Sequence, residues 1–320
     1  MDITDKKNSK KEVKAQVPFS PSLLKSAIQK SVRRGDVDKT VRLAKSLIFL
    51  NETDALRRLM IIPIEDCILP PDYDKLAAML MKVSSKGGVP LTEPEKTTAL
   101  SIIADAAKCE WRDLDVGNPD DEGKDYVMQP VKGNKENDLI NALLYRSRIG
   151  GSKWDWVMLN QIARVWNKRF SEGSWKVEDL KHYFTGEVIN WDNVSYATVD
   201  DIMLEAVDMH CSGILYMLLK IGWVKDLLRK DIPFNKRDWL GGDVSDHNLL
   251  EQIIWCCRSS INDKKNIWET QVGKDKPVSW LWADKVPEKM WPVYECITEA
   301  IKEEADNISR WIISQQGELK

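Results

Sequence analysis

Apolar residues recur at a helical period along most of the chain. In the first such segment Leu24, Ile28 and Val32 lie four residues apart, which places them on one face of a helix. Ser20 and Pro21 precede that segment as an N-cap and a first helical residue. No stretch alternates between apolar and polar residues over the length of a strand. The pattern predicts an all-α fold, a compact array of about ten to twelve helices.

Helix-breaking residues divide the first hundred positions into separate helices. Gly35 is expected to end the first helix and Asp36 to cap the second. The next apolar segment contains Pro63, which predicts a kink or a stop near Ile62. Thr92, followed by Glu-Pro-Glu, opens a further helix that runs to about residue 108.

One long segment lacks periodicity. Residues 112–134 combine several aspartates with Gly and Pro and predict a loop or linker. We therefore expect a disordered basic tail at 1–19, an N-terminal helical module at 20–111, the loop or linker at 112–134, and a C-terminal helical region at 135–320 packed on the first.

Composition narrows the class of protein. The mean hydropathy is −0.40 and 43% of residues are hydrophobic, and no apolar run approaches the ~18 residues that a membrane-spanning helix needs. The first residues carry charges without the apolar segment of a secretory signal. These features predict an intracellular protein, cytoplasmic or nuclear, without membrane partners. The six cysteines include no C-x-x-C pair and there are three histidines, so neither a zinc site nor another cofactor is expected.

Enzymatic motifs are sparse in the sequence. It contains no G-x-x-x-x-G-K-[ST], G-x-G-x-x-G or G-x-S-x-G, which argues against a P-loop ATPase. Asp201, Glu205 and Asp208 (with Asp200 nearby) would share a helix face and could hold a divalent cation. His210 falls on the opposite, apolar face with Met203, Ala206 and Ile214, which predicts a buried core histidine. A metal-dependent enzyme is thus the less favoured hypothesis, and no catalytic or metal residue is assigned.

Nine of the fourteen tryptophans fall into two sets. Those in helical patterns are expected to be core anchors: Trp154, Trp166, Trp223, Trp255 and Trp311. Those in a charged, weakly periodic stretch are expected to pin a loop to the body rather than to stack on bases: Trp268, Trp280, Trp282 and Trp291.

Charge is distributed unevenly along the chain. Residues 1–50 carry a net charge of +7 and the remainder −10. Lys30, Arg33 and Arg34 are expected on the solvated face. Six cations of the first two helices would form a rim for sequence-independent phosphate binding: Lys25, Lys30, Arg33, Arg34, Lys39 and Arg42. Docking of this basic end onto the acidic remainder, and a merely solvated tail, are the alternatives.

Residues 22–70 resemble a known helical module. The residues that carry the resemblance are Lys30-Ser31-x-Arg33, Gly35-Asp36-x-Asp38, Ala44, Arg57-Arg58-Leu59 and Glu65-Asp66. This pattern resembles the C-terminal helical region of the RarA/Werner-helicase-interacting-protein family of AAA+ ATPases, clamp-loader relatives that act at stalled replication forks. In that family the region builds the tetramer, so the resemblance implies a packing module without ATPase activity.

The same residues also have a structural interpretation. Gly35 and Asp36 form a hinge between two helices, while Arg57 and Arg58 with Glu65 and Asp66 would supply polar bonds that lock the third helix against the first two. We expect a non-catalytic interaction or scaffold protein, with a protein partner or as a homo-oligomer, that is associated with DNA replication or maintenance machinery. Nucleic-acid binding by the basic N-terminal helices is the alternative.

Overall fold

The structure is a computed structural model that describes residues 17, 19–113, 115, 130–131, 133–202 and 266–267. These residues are mostly helical, in agreement with the predicted helical periodicity. The helices are α1 Pro21–Arg33, α2 Val37–Leu50, α3 Glu52–Leu59, α4 Ile62–Asp66, α5 Tyr73–Ser84, α6 Glu93–Lys108, α7 Asn134–Arg148, α8 Lys153–Ser171 and α9 Val177–Lys181. Two 3₁₀ turns, Trp191–Asn193 and Val199–Asp201, follow. The strand pairing among these residues is short and parallel, between β1 Trp111–Arg112 and β2 Asn266–Ile267.

The chain divides into two compact units. The first comprises residues 1–30, 196–263 and 276–320, and the second comprises residues 31–195 and 264–275. Helix α1 belongs to the first unit up to Lys30, and in this part Leu23, Leu24 and Ile28 are completely buried. His210 and the acidic positions 205 and 208 lie outside the described residues, so the predictions made for them remain predictions.

Helix boundaries in the first hundred residues confirm the predicted capping residues. The Ser20 hydroxyl accepts the backbone N–H of Leu23 at 3.3 Å at the start of α1. Gly35 takes a left-handed φ of +69°. The N–H of Asp36 bonds to the carbonyl of Ser31 at 2.9 Å, and that of Gly35 to Val32 at 3.1 Å. This pair of bonds is a Schellman motif, which requires the positive φ that glycine adopts without strain. The carboxylate of Asp36 then caps α2 through Lys39 N–H at 3.2 Å.

The predicted kink or stop near Ile62 corresponds to an interruption between two helices, just before Pro63. Helix α3 stops at Leu59, and Pro63 occupies the first turn of α4, where its missing N–H costs nothing. The interruption leaves the Met60 carbonyl without a helical donor, and the buried Tyr73 hydroxyl donates to it at 2.9 Å. Burial raises the pKa of Tyr73, since the phenolate would lose its hydration.

The second unit is built by successive packing of helices. Helix α2 packs against α3 and α6, α3 against α5, α5 against α7, and α7 against α8. Each helix contributes an apolar stripe, for example Leu43, Leu47 and Leu56, all fully buried. Thr92 begins α6 with the predicted capping box, in which Glu95 accepts the Thr92 N–H at 2.7 Å. The polar residues on the outer side of α6 are therefore held at fixed positions, and they organise the candidate site.

Candidate functional site

The predicted basic rim is only partly exposed. Lys30 and Arg33 are buried, with 3% and 7% of their surface exposed, so the expectation that they face solvent is wrong. Lys30 donates to the Ser26 hydroxyl at 2.9 Å. Arg33 makes a bidentate pair with Asp66, with Nε–Oδ1 at 2.7 Å and Nη2–Oδ2 at 3.2 Å. The remaining cations are half-buried: Lys25, Arg34, Lys39 and Arg42.

The polar bonds near α4 differ in partner from those predicted. Arg58 lies 3.9 Å from Glu65, as the sequence suggests. Asp66, which is fully buried, pairs with Arg33 of α1 instead. Arg112 donates to the Glu65 carbonyl at 2.7 Å. Burial lowers the pKa of the Arg112 guanidinium, and the charge of Asp66 opposes that shift. Asp66 therefore compensates buried guanidinium groups that are 33 or more residues away in sequence.

Arg57 contacts the end of α7 and the turn that follows it. Its carbonyl accepts from Arg146 Nε at 2.9 Å, and its guanidinium lies against Gly150. Arg146 also donates to the carbonyl of Gly150 at 2.9 Å and pairs with Asp155 at 3.4 Å. The predicted structural residues Gly35, Asp36, Arg57, Arg58, Glu65 and Asp66 thus lie at helix junctions; their role in oligomerisation remains a prediction.

The tryptophans do not all follow their helical pattern. Trp166 is buried, as predicted, and packs edge-on to Trp175 with ring centroids 5.5 Å apart. Trp154 is 69% exposed, so its assignment to the core is wrong. It occupies the first turn of α8, and Lys153 Nζ lies 6.0 Å from its ring centroid. The other tryptophans of the two predicted sets lie outside the described residues.

The described part of the acidic segment has a capping role. Asp201 accepts the Thr198 N–H at 2.8 Å and is buried. Within the described ranges no group of three or more His, Cys, Asp or Glu side chains is placed to hold a metal ion. In the same ranges no helix is long and apolar enough to cross a membrane.

Residues 184–194, here called the strap, form a segment without α-helix or strand that includes the 3₁₀ turn Trp191–Asn193, and side chains of α6 bind it. Three polar residues of α6 at four-residue spacing, Thr97, Ser101 and Asp105, lie on one face of the helix. Thr97 Oγ1 accepts the Trp191 N–H at 3.1 Å, and Ser101 Oγ accepts the Ile189 N–H at 2.9 Å. Side chains of a helix thus accept the backbone hydrogen bonds of the strap.

The first end of the strap is bound to the carboxylate of Asp105. It accepts the Gly186 N–H at 2.9 Å and the Thr185 hydroxyl. Lys108 also bonds to Glu187. Only 9% of the surface of Asp105 is exposed, yet among the described residues no cation pairs with it.

The other end of the strap is bound to Lys45, a cation that the sequence interpretation left unassigned. Lys45 is 7% exposed. Its ammonium donates to the carbonyls of Trp191 at 2.8 Å and Val194 at 2.7 Å, and lies 4.8 Å from the Trp191 ring centroid. Burial lowers the pKa of Lys45, and the nearby charge of Asp192 opposes the shift. An apolar face with one lysine gives no sign of this contact in the sequence, because its partners are 146 or more residues away.

A cleft of about 220 Å³ opens between the strap, α6 and the segment that enters α5. Its apolar lining consists of Pro70, Pro71, Ile102, Phe184 and Val188. Asp105, which is 9% exposed, and Val188, which is 71% exposed, both line it. The cleft therefore combines apolar walls with the carboxylate of a buried residue.

The cleft contains few groups suited to chemistry. Among the described residues, its lining has hydroxyl, carboxylate and ammonium groups but no His or Cys. Asp72 and Lys75 pair at 3.1 Å, which leaves Asp105 as the lining charge without a cation among the described residues. Such an arrangement is suited to binding a side chain. Comparison of the chain with family models, curated proteins and solved structures finds no match.

Proposed function

We propose that the chain is a non-catalytic, all-α interaction protein of ten to twelve helices, a scaffold that associates with a protein partner or with further copies of itself. The observation that carries this proposal is the exposure of Trp154, at 69%. Tryptophan is enriched at the energetic centres of protein interfaces, because its large ring contributes much apolar contact area.

The outer face of α8 extends the contact that Trp154 offers. Met158 and Val165 follow it at positions four and eleven along the helix, on the same side, and both are half-buried. Lys168, 74% exposed along its side chain, borders this face. An apolar centre with a charged border is the usual arrangement of a protein–protein interface.

The resemblance of residues 22–70 to the oligomerisation region of RarA-type ATPases leads to a related proposal. In it, α1 to α4 form a packing module of an assembly connected with DNA maintenance. The Schellman turn at Gly35 and the buried Arg33–Asp66 pair support a module with fixed geometry. The test of this proposal measures assembly directly.

Light scattering after size exclusion, across a wide range of chain concentration, measures self-association. We expect Trp154→Ala to weaken association by roughly 30-fold, the loss typical of a tryptophan at an interface centre. Lys181→Ala is the control, because this exposed lysine belongs to α9 and not to the α8 face, and it should leave association unchanged. A photo-crosslinker at position 154 identifies a different partner if the chain is monomeric. A strict monomer with no crosslinked partner would refute the proposal.

Sequence-independent nucleic-acid binding is the second candidate. It is supported by the net +7 charge of residues 1–50 and by the partial exposure of Arg34, Lys39 and Arg42. Binding of this kind weakens steeply with salt, because each neutralised phosphate releases counterions. Absence of binding to duplex or single-stranded DNA at ~50 mM salt would eliminate it.

A further inference from the structure

Some backbone N–H groups of the strap are bound to α6 and others are open. The N–H groups of Gly186, Ile189 and Trp191 bond to side chains of α6. The N–H groups of Val188 and Asn190, here called the open edge, have no acceptor among the described residues, and both residues are exposed. Exposed backbone donors of this kind can pair with the carbonyl groups of another chain.

The cleft next to this edge has the properties of a site for a lysine side chain. A lysine packs its methylene stem on apolar surface and keeps its ammonium in a polar place. Ile102, Phe184 and Pro71 provide the apolar walls, and the carboxylate of Asp105 provides the polar end. Each Asp105 oxygen accepts one hydrogen bond from the strap and retains capacity for another.

Charge favours a cationic occupant over a neutral one. Other charges of the lining are paired, Asp72 with Lys75 and Glu187 with Lys108. Asp105 is buried without a counter-ion in the described part of the chain, and a buried carboxylate is stabilised by a nearby cation.

We propose that this cleft binds an extended peptide of a partner protein, with a lysine side chain of that peptide in the cleft and its backbone paired to the open edge of the strap. This proposal deepens the interaction function by naming the partner's chemistry. It does not depend on the Trp154 surface, because no residue of the cleft lining belongs to α8.

The test uses the full chain and a blocked peptide, acetyl-Thr-Val-Lys-Val-Thr-amide, titrated by calorimetry. A second peptide has norleucine in place of lysine and so keeps the stem but removes the charge. A third has N-methylated valines, which cannot pair as a strand. We expect the lysine peptide to bind and each of the other two to bind about tenfold more weakly or worse. Equal binding of the norleucine peptide would refute the role of Asp105, and equal binding of the N-methylated peptide would refute strand pairing.

Variants locate the site. Val188→Lys places a like charge at the rim and should abolish binding of the lysine peptide. Val89→Lys is the matched control, because Val89 is also exposed, at 56%, and lies outside the cleft. Asp105→Asn should remove the preference for lysine over norleucine, and the Val188 variant keeps the test valid if this change loosens the strap.

Other outcomes overturn the proposal. Binding of no peptide by the wild-type chain contradicts it, as does loss of binding in Val89→Lys with retention in Val188→Lys. If the molar mass in solution, measured without peptide, is lower for Val188→Lys than for the wild-type chain, the occupant of the cleft is a second copy of the chain instead. Association through Trp154 is measured by light scattering without peptide. A failed peptide titration would therefore refute the peptide site without bearing on the light-scattering result.

Discussion

Replacement of Asp66 by alanine tests whether the predicted basic rim has a structural role. Asp66 is fully buried and makes two bonds to Arg33, at 2.7 and 3.2 Å. Its removal leaves Arg33, 7% exposed, and Arg112, 6% exposed, without the carboxylate that compensates them. Breaking a buried ion pair by removing one partner costs roughly 3–5 kcal/mol, because an uncompensated charge stays in the interior.

We therefore expect Asp66→Ala to lower the free energy of unfolding by about 3–5 kcal/mol, a large part of the stability of an ordinary domain. Urea unfolding followed by circular dichroism measures the change. Glu65→Ala is the control: its side chain is partly exposed and lies 3.9 Å from Arg58, so its loss should cost less than about 1 kcal/mol.

A double replacement separates the pair from its surroundings. Arg33→Met with Asp66→Leu removes both charges and keeps apolar volume, so it should recover much of the loss, since apolar replacements of buried ion pairs are often neutral. Arg33→Gln should lower stability and leave the salt dependence of any DNA binding unchanged. A cost below about 1 kcal/mol for Asp66→Ala, or a flatter salt slope for a fully stable Arg33→Gln chain, would refute the reasoning.

Two further predictions concern the strap and α6. Lys45→Met should lower the free energy of unfolding by about 2 kcal/mol, because the carbonyls of Trp191 and Val194 lose a charged donor. Limited proteolysis should then cut this variant within 184–194, whereas the control Lys39→Met, at a half-buried lysine, should resist cleavage. Equal resistance of the two variants would contradict the role of Lys45. The bonds from Lys82 and from the Thr92 backbone lower the pKa of Glu95 to about 2, so its folded form holds the proton less tightly than the unfolded chain does. Its stabilisation is thus complete above the ordinary pKa and is lost as pH falls towards 2. Urea unfolding at several pH values should show that Glu95→Gln lowers the free energy of unfolding by about 1–2 kcal/mol at neutral pH, after allowance for partial exposure. Below neutral pH, the stability of Glu95→Gln should fall less steeply with pH than that of Glu93→Gln. An equally steep fall in the two variants would contradict the prediction.

Features with a local cause could be predicted from the sequence. Ser20, Gly35, Asp36, Pro63 and Thr92 act on the backbone within about four residues, so their effect is encoded where they stand. The helix boundaries near them agree with the structure for that reason.

Features that depend on distant partners could not be predicted. Lys30 and Arg33 look like surface cations, and only the position of Asp66, 33 residues from Arg33, explains the burial of the latter. Trp154 fits a helical pattern, but the pattern does not report that this position of the helix is exposed. The signal of the candidate site in the sequence is the pair Ser101 and Asp105, which interrupt the otherwise apolar run 99–107, with Thr97 four residues before Ser101. Their partner, a segment without α-helix or strand about 80 to 94 residues away, has no periodicity to recognise.

The attachment of the strap to α6 has a consequence for the order in which the protein forms during translation. Thr185 follows Asp105 by 80 residues. At synthesis rates of about 5–20 residues per second, the polar residues of α6 leave the ribosome about 4–16 s before the segment that satisfies them. In this interval Thr97, Ser101 and Asp105 are hydrated, and the cleft does not yet exist because Phe184 and Val188 have not been made. A nascent chain halted before residue 184 would therefore carry a helical body without the peptide site, and recognition of a partner would begin only after nearly the whole second unit has emerged.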